Sequence, residues 1–280
     1  MKIGIIGLGL IGTSLALAFK EQKLFIWGID IEKTAVDNLL NNGIIEKGDT
    51  NLKKLSKEIK ESEVIFISVY PSKVLEIVNE LKNFLNENQI LTDTASIKEK
   101  IINYIEKDKF LRKIFIGGHP LAGKEKGGYK EGEVKLFQDK IYFLTPSSEV
   151  SDEKLNKITS LIRSIGAKPF IISPYEHDKI LSYTSHLPQI ISYILSYSVP
   201  LEYLCFTGSG FKDSTRLAKS PVDLWMDIIK ENEENILKAL DDFYKVFNIV
   251  YEKINMKDWN ELKNFLEKSR EKRLEIEVKS

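Results

Sequence analysis

The chain opens with Lys2-Ile3-Gly4-Ile5-Ile6 and continues directly into Gly7-Leu8-Gly9-Leu10-Ile11-Gly12, and this stretch decides the fold. The uncharged run at Ile3–Ile6 is typical of a parallel strand buried on both faces. A helix is predicted from Ser14 to Lys20, and a second strand from Leu24 to Ile29. Among 16 glycines a GxGxxG pattern alone is a weak signal. Its position between a strand and a helix, however, is what a dinucleotide-binding fingerprint requires.

Each glycine of this fingerprint has its own physical task. Gly7 makes the tight turn, Gly9 lets a pyrophosphate approach the backbone, and Gly12 lets the helix pack on the strand. The backbone N–H groups at the helix start, including those of Leu10 and Ile11, then bind the diphosphate with the help of the helix dipole. The alternative interpretation is a glycine-rich turn that binds no nucleotide.

Asp30 follows the second strand and indicates which dinucleotide is bound. It lies 18 residues after Gly12, close to the roughly 20 expected for the acid that binds the ribose 2′-hydroxyl. Since Ile31 rather than an arginine comes next, a 2′-phosphate would face a carboxylate. NAD is therefore predicted over NADP, although Lys33 is near enough to keep NADP open as an alternative.

Strands and helices alternate through the first part of the chain, which predicts right-handed βαβ units and a Rossmann-type, doubly wound parallel α/β sheet. Gly48-Asp49-Thr50 is interpreted as a polar connection. The sheet domain is predicted to span residues 1–173, and only helices are predicted for residues 174–280, including one helix from Ser220 to Phe247. The further predicted strands are Val64–Val69, Ile90–Asp93, Ile114–Ile116, Lys140–Leu144 and Lys168–Ile172.

Ligands of such sheets bind at the carboxyl ends of the strands, so the loops at Gly7, Tyr70, Ser96 and His119 should share one rim. The segment Gly117-Gly118-His119-Pro120-Leu121-Ala122-Gly123 is predicted as a tight loop with an imidazole at its mouth. His119 either caps a strand or acts on a bound ligand. Ser96 either caps the helix predicted from Ile97 or hydrogen-bonds to His119 or the cofactor.

The helical half contains two polar constellations. One is Ser185-His186-Leu187-Pro188-Gln189, with His177-Asp178 upstream, and the other runs from Gly208 to Arg216, with Trp225 beyond it. In one interpretation these are cap, core and solvated side chains. In the other they form an anion site, because a guanidinium holds a carboxylate bidentately and an imidazole adds a bond.

Composition excludes several other classes of protein. Lys+Arg and Asp+Glu both number 41, so no net field favours nucleic acid or an anionic membrane. The single Cys205 suits a reducing cytoplasm, and one thiol with three histidines is too few for a structural zinc site. The apolar N-terminus is interrupted by glycines that fit a nucleotide loop better than a signal peptide, and no stretch approaches the ~20 apolar residues of a membrane span.

Taken together, the motifs resemble the prephenate and arogenate dehydrogenase family of tyrosine biosynthesis. The resemblance covers the glycine fingerprint, Gly118–Gly123, Ser185–Pro188 and Gly210–Ala218. It implies an NAD(P)-dependent oxidoreductase with a Rossmann domain and a helical dimerisation domain, and therefore a homodimer. A fused chorismate mutase or regulatory domain is expected to be absent. The implied catalytic residues are His119 and Ser96, and the implied substrate-binding residues are His186, Arg216, Glu125, Lys212, Asp213 and Trp225.

The predicted function is therefore a cytoplasmic, NAD-dependent oxidative decarboxylation of prephenate. A neutral His119 would accept a hydrogen bond from the ring hydroxyl and take up charge as the carbonyl forms. His186 and Arg216 would position the substrate's carboxylates. Arogenate dehydrogenase is the first alternative, and Lys124 with Glu125 are expected to influence which side chain is accepted. More distant alternatives are another two-domain reductase, such as an imine reductase, and a non-catalytic NAD-binding regulatory protein.

Overall fold

The structure is a computed structural model that describes residues 1–279. Its centre is an eight-stranded sheet in the order β3-β2-β1-β4-β5-β6-β7-β8, and the first six positions have the strand order of Rossmann folds. Every neighbouring pair is parallel except β6 and β7. The strands are β1 Lys2–Ile6, β2 Phe25–Ile29, β3 Lys47–Asp49, β4 Val64–Ile67, β5 Ile90–Asp93, β6 Phe115–Pro120, β7 Ile141–Pro146 and β8 Lys168–Ile171.

Helices cover both faces of the sheet and make up most of the chain after β8. Within the described residues they are α1 Leu10–Glu21, α2 Lys33–Asn41, α3 Ser56–Glu61, α4 Val74–Leu81, α5 Glu99–Ile105, α6 Asp152–Ser164, α7 Pro174–Leu181, α8 Leu187–Ser198, α9 Ser209–Ser214, α10 Val222–Glu231, α11 Glu233–Asn255 and α12 Trp259–Lys279. Short 3-10 turns extend α3 and α4.

Two details of the sheet differ from the sequence-based expectation. β7 is antiparallel to β6, because the connection between them holds only a 3-10 turn at Tyr129–Glu131 and lacks the crossover helix that a parallel return requires. The predicted connection at Gly48 is instead part of the edge strand β3. There a Cβ on Gly48 would lie 2.7 Å from Val36 Cγ1, so the missing side chain lets α2 pack closely on the strand.

The core consists of two apolar layers, one on each face of the sheet. Ile3, Ile5 and Phe66 belong to the layer that includes α1, whereas Ile65 and Ile67 belong to the opposite layer. All five side chains are fully buried. Such continuous apolar strands are expected where helices cover both faces, and the rigid sheet fixes the positions of the loops at its edge.

The helical region begins at a well-defined cap and contains an unexpected turn. Ser173 Oγ accepts a hydrogen bond from Glu176 N at 3.2 Å, and Pro174 occupies the first turn of α7, as favoured at helix starts. We predicted a helix broken at Pro188, but Pro188 lies inside the first turn of α8. The irregularity precedes it, as a π-helical turn at Ser182–His186 that joins α7 to α8.

The prediction of one helix from Ser220 to Phe247 is wrong. α10 ends at Glu231, and the next residue, Asn232, has a φ of −121° and a ψ of 32°, which are not helical. The side-chain amide of Asn232 donates to the Asp178 carbonyl oxygen at 3.0 Å. This tertiary contact fixes the residue where the helix is interrupted.

The chain forms two compact units, residues 1–233 and the segment from Glu234 onward. The predicted domain boundary at residues 173 and 174 lies within the first unit, between β8 and α7, and stays a prediction. Among residues 1–279, no helix combines the length and the apolar composition needed to cross a membrane.

Candidate active site

The glycine loop after β1 has the backbone geometry that its sequence predicts. Gly7 has a φ of +91°, and a Cβ there would lie 2.2 Å from the Ser68 carbonyl oxygen. A Cβ on Gly12 would lie 1.8 Å from the Gly7 carbonyl oxygen, so α1 packs against the loop only without a side chain. A Cβ on Gly9 would meet no described atom within 4 Å. The loop therefore leaves room at the position where a phosphate would approach the start of α1.

Asp30 lies beside this loop and is anchored by two backbone groups. Its Oδ2 accepts a hydrogen bond from Leu8 N at 2.6 Å, and its Oδ1 accepts one from Glu32 N at 2.8 Å. A carboxylate oxygen accepts more than one hydrogen bond, so Asp30 keeps the capacity to bind ribose hydroxyls. Ile31 is 97% exposed and adds no positive charge to the site.

Two cavities lie along the rim of the sheet and meet at His119. The first, of about 260 Å³, is lined by Gly9, Leu10 and Ile11 and reaches Tyr70. The second, of about 480 Å³, lies against the helical elements. Both are lined by Ser96 and His119, so the predicted convergence of these loops is confirmed. The lining of the second cavity also includes Lys124, Glu125, His186, Gln189, Arg216, Leu224 and Trp225.

His119 was expected in a loop, but it belongs to strand β6 and pairs with Phe143 of β7. The antiparallel return of β7 extends the strand through the glycines, because β7 supplies the backbone partners. His119 is only 7% exposed. Burial, together with the nearby His177 and Lys98, holds the pKa of His119 well below its usual 6.5. The imidazole is consequently neutral at physiological pH, the state that a base requires.

A second histidine lies behind the first, and the sequence did not indicate its role. His119 Nδ1 is 2.8 Å from His177 Nε2, and His177 Nδ1 is 2.7 Å from Asp178 Oδ1. Burial lowers the pKa of His177 to about 2. His177 and His186 are nine residues apart, which in an α-helix is about two and a half turns and opposite faces. The π turn between them underwinds the helix and changes that relation, which periodicity alone cannot predict.

Asp178 also performs the task that we considered for Ser96. The backbone N–H groups of Lys98 and Glu99, at the start of α5, both donate to the Asp178 carboxylate at 2.8 Å. Of the two interpretations of Ser96, the one in which it caps this helix is therefore wrong, because α5 begins only at Glu99 and Asp178 binds its free N–H groups. Ser96 lines both cavities, but among the hydrogen bonds of residues 1–279 none joins it to His119.

A buried ion pair contacts the backbone of β6. Lys98 Nζ contacts Asp93 Oδ2, and both side chains are fully buried. Asp93 Oδ1 also accepts from Gly118 N at 3.0 Å. Burial lowers the pKa of Lys98 and raises that of Asp93, while their mutual attraction opposes both shifts. Because Gly118 adjoins His119, this pair fixes the backbone that carries the imidazole.

His186 lies on the other side of the second cavity and is fixed by two neighbours. Its Nδ1 is 3.2 Å from the side-chain amide nitrogen of Asn232, and its ring meets that of Trp225 edge-on with centroids 6.0 Å apart. An amide nitrogen only donates, so His186 Nδ1 accepts and the proton of the neutral ring lies on Nε2. Burial lowers the pKa of His186 to about 4, so the ring is neutral near pH 7 and its Nε2–H is available to donate.

Each charged residue that lines the cavity has an ion-pair partner. Arg216 Nη1 contacts Glu125 Oε1, with 58% of the arginine side chain and 30% of the glutamate side chain exposed. Lys124 Nζ binds Glu133 Oε1 at 2.6 Å and the Glu131 carbonyl oxygen at 2.8 Å. Arg216 and Lys124 are thus two cations that line the cavity with carboxylate partners already in place.

The structure does not bring Lys212 and Asp213 to this cavity. Both are exposed on the short helix α9 and are absent from the cavity lining among the described residues. Arg216 reaches the cavity because it lies in the 3-10 turn that follows α9. The roles of Lys212 and Asp213 in substrate binding stay predictions.

The buried, neutral imidazole lies between a loop suited to a dinucleotide and a cavity lined by cations. This is the layout of a dehydrogenase. The fold and site therefore define a nucleotide-dependent dehydrogenase. The family model described as "Prephenate dehydrogenase, nucleotide-binding domain" matches residues 15–171, and "Prephenate dehydrogenase, dimerization domain" matches residues 173–268. The chain belongs to the prephenate dehydrogenase family.

Individual relatives agree with this assignment. Prephenate dehydrogenase of Lactococcus lactis subsp. cremoris is 31% identical over 99% of this chain and 78% of its own length. The crystal structure of prephenate dehydrogenase from A. aeolicus with hydroxyphenyl propionate and NAD+ is similar with a TM-score of 0.90 and 32% identity, covering 98% of this chain and 97% of that chain. Synechocystis arogenate dehydrogenase has a TM-score of 0.83 at 27% identity, covering 98% and 99%.

Proposed function

We propose that this chain is an NAD-dependent prephenate dehydrogenase, which converts prephenate to 4-hydroxyphenylpyruvate and carbon dioxide. One observation carries the proposal: the cavity at the glycine loop and the cavity lined by Arg216 and His186 meet at the neutral imidazole of His119. A dianionic ring substrate in the second cavity would thereby place its reacting carbon between the cofactor and a base.

The residues of the first cavity, together with Asp30 beside the glycine loop, fit a nicotinamide dinucleotide. Gly9 leaves space for the diphosphate, Leu10 and Ile11 present N–H groups at the start of α1, and Asp30 offers its carboxylate to a ribose. The carboxylate at Asp30 and the exposed Ile31 support NAD over NADP. When bound, NAD+ supplies the hydride acceptor.

His119 handles the proton of the ring hydroxyl. As hydride departs from the carbon that carries this hydroxyl, the imidazole accepts the O–H proton and a carbonyl forms. Loss of carbon dioxide from the opposite ring carbon then leaves electrons that make the ring aromatic, and His119 returns the proton to the phenolic oxygen. Prephenate and NAD+ therefore give 4-hydroxyphenylpyruvate, carbon dioxide and NADH with no net proton released.

Arg216 and His186 position the substrate through its carboxylates. Arg216 supplies a fixed charge, and His186 supplies a neutral donor. The carboxylate that leaves loses its charge in the transition state, so very tight binding of that group would stabilise the ground state instead. The carboxylate of the side chain is retained throughout, and it is the better partner for Arg216.

Arogenate is the second candidate substrate, because Glu125 lines the same cavity and an ammonium would favour a nearby carboxylate. In this structure Glu125 is already paired with Arg216, and Lys124 adds a second cation close to the cavity. The second cation supports the keto acid prephenate over the amino acid arogenate, whereas a substrate that displaces Glu125 from Arg216 would leave that carboxylate available to an ammonium.

The test is NADH formation by the purified chain with prephenate and with arogenate, repeated with NADP. We expect prephenate with NAD to give the highest kcat/KM. His119→Asn keeps an amide N–H that can face His177 but removes the base, so kcat should fall by about 10²- to 10⁴-fold. Its Kd for NAD should be unchanged. Wild-type turnover in this variant, or no turnover of either substrate by the wild type, would contradict the proposal.

We also infer a homodimer in the cytoplasm. The match to a dimerization domain supports the dimer, and so does the row of large apolar side chains exposed on α11. Tyr244, Phe247 and Tyr251 in this row are 63%, 55% and 62% exposed, a pattern expected of a face covered by a second copy. The exposed free thiol of Cys205 supports a reducing compartment.

A further inference from the structure

Three buried side chains form a continuous chain of contacts that ends at the candidate base. Asp178 Oδ1 lies 2.7 Å from His177 Nδ1, and His177 Nε2 lies 2.8 Å from His119 Nδ1. His177 is fully buried and Asp178 is 2% exposed. The same Asp178 oxygen accepts the backbone N–H of Lys98 at 2.8 Å, and the other oxygen accepts that of Glu99 at 2.8 Å.

The Asp178 carboxylate determines the donor and acceptor roles along this series of contacts. A carboxylate only accepts hydrogen bonds, so His177 Nδ1 carries a proton and donates it to Asp178. The neutral ring of His177 then has a bare Nε2, which accepts. The atom facing it, His119 Nδ1, must carry a proton and donate, and a neutral His119 is left with its lone pair on Nε2.

We propose that His177 and Asp178 are positioning residues that hold His119 in the tautomer with the proton on Nδ1 and the lone pair on Nε2. The inference rests on the proposed function for its catalytic meaning, since Nε2 is then the atom that accepts the substrate's proton. The tautomer itself is a property of the protein without substrate.

The surroundings hold the rings as well as the protons. The Phe143 ring meets that of His177 edge-on at 5.1 Å between centroids, and the His119 and His177 rings meet at 5.0 Å and 69°. Asp178 is held by the first N–H groups of α5, so the two imidazole rings and the carboxylate are all fixed by contacts. The other charged or titratable groups that affect the two rings are Lys98 and His186.

This arrangement also changes the energy of the protonated base. When His119 Nε2 accepts a proton, Nδ1–H still donates to His177, and the positive charge is balanced through His177 by the carboxylate of Asp178. Without His177 and Asp178, a protonated imidazole in the same buried position would have no partner to balance its charge. Lys98 would in addition repel that charge. The pair therefore both orients the base and supports the charge that it acquires.

The decisive measurement is the ¹⁵N NMR spectrum of the full-length protein labelled with [¹⁵N]histidine. The chain has only three histidines, so six ring nitrogens are expected, assigned by loss of signals in His186→Gln and His177→Gln. We expect protonated Nδ1 and unprotonated Nε2 for both His119 and His177 near neutral pH. A proton on His119 Nε2, or a bare Nδ1 on His177, would overturn the proposal.

Kinetics of two matched variants give the second test. His177→Gln keeps an acceptor oxygen near the position of Nε2, whereas His177→Phe has a similar ring size but no acceptor. We expect kcat of His177→Phe to fall about 10²-fold or more, with KM and NAD affinity changed by less than threefold. His177→Gln should recover at least a tenth of wild-type kcat. Equal losses in both variants, or no loss in His177→Phe, would count against the positioning role.

The proposed function and the tautomer assignment can be contradicted independently of each other. If the protein turns over neither prephenate nor arogenate but shows the expected ¹⁵N signals, the proposed function is wrong and the tautomer assignment stands. If turnover is normal and His119 carries its proton on Nε2, the function stands and the assignment to His177 and Asp178 is wrong.

Discussion

In the proposed function, Arg216 binds a substrate carboxylate although it is already paired with Glu125. Its guanidinium contacts Glu125, but more than half of the arginine side chain is exposed. Ion pairs in such surroundings contribute only about 0–1 kcal/mol, because water screens them. A substrate carboxylate that forms a bidentate, charge-assisted bond therefore competes with Glu125 at a small energetic cost. The pair keeps the arginine in place without blocking it.

Arg216→Ala should raise KM for prephenate by about 10- to 150-fold, since a hydrogen bond to a charged group contributes roughly 1.5–3 kcal/mol. kcat should change less than KM, because positioning affects ground state and transition state alike. Steady-state kinetics at saturating NAD would measure both. Arg216→Lys is the matched control: it keeps the charge and loses the fork, so its KM should lie in between. A wild-type KM in Arg216→Ala would place the carboxylate elsewhere.

Buried histidines mark the limit of residue-level prediction from the sequence. His119 and His186 could be selected because glycines, prolines and a serine surround them in recognisable motifs. The role of His177 could not be predicted, since it depends on a contact with a strand residue 58 positions earlier. It also depends on a π turn, which residue propensities do not predict.

At the level of helices and strands, the sequence predicted the elements that depend on local pattern better than those that depend on long-range pairing. β1, the glycine loop and β2 were predictable because each has its own strong pattern within about ten residues. The direction of β7, the extension of β6 through His119 and the break at Asn232 were not. Each depends on a partner far along the chain, namely the neighbouring strand or the Asp178 carbonyl.

The glycine loop gives a prediction that separates folding from cofactor binding. Gly12→Ala places a Cβ 1.8 Å from the Gly7 carbonyl oxygen, and relieving such a clash typically costs about 1–3 kcal/mol. Its Tm should fall and its NAD affinity should weaken, because the start of α1 shifts. Gly9→Ala is the matched variant, with no described atom within 4 Å of the new Cβ.

Gly9→Ala should keep the wild-type Tm and still raise the Kd for NAD at least tenfold, because the methyl group occupies the path of the diphosphate. Thermal unfolding without ligand and NAD titration measure the two properties independently. Normal NAD affinity in Gly9→Ala would show that the diphosphate does not approach this loop, and an unchanged Tm in Gly12→Ala would show that the loop relaxes easily.

At the scale of the whole molecule, all three histidines of the chain are buried around one site. Residues 1–173 supply the sheet and His119, and residues 174–233 supply His177 and His186. The sequence predicted the fold class and the order of these parts, because alternating strands and helices leave few topologies. It could not predict that the cavity is assembled around a network that links α5, α7, β6 and Asn232.

The same concentration of buried imidazoles makes stability depend on pH. The folded pKa of His186 is about 4 and that of His177 about 2, against 6.5 for the ordinary side chain. The pKa of His119 is also lowered. Between the ordinary and the folded pKa values the unfolded chain binds more protons than the folded one. Acidification below about pH 6.5 therefore favours unfolding, and stability is fully present above it.

Urea unfolding at constant protein concentration should show this loss between about pH 7 and about pH 5.5, with on the order of 1 kcal/mol lost per histidine. Asp93 and Asp178 have raised pKa values, so acidification increases their contribution to stability. The contribution of the histidines is therefore measured by comparing histidine variants with the wild type. His186→Gln is less stable near pH 7 but should lose about one third less free energy on acidification, because one proton fewer is taken up on unfolding. A pH dependence identical to that of the wild type would mean that His186 is charged, or accessible to water, in the folded protein.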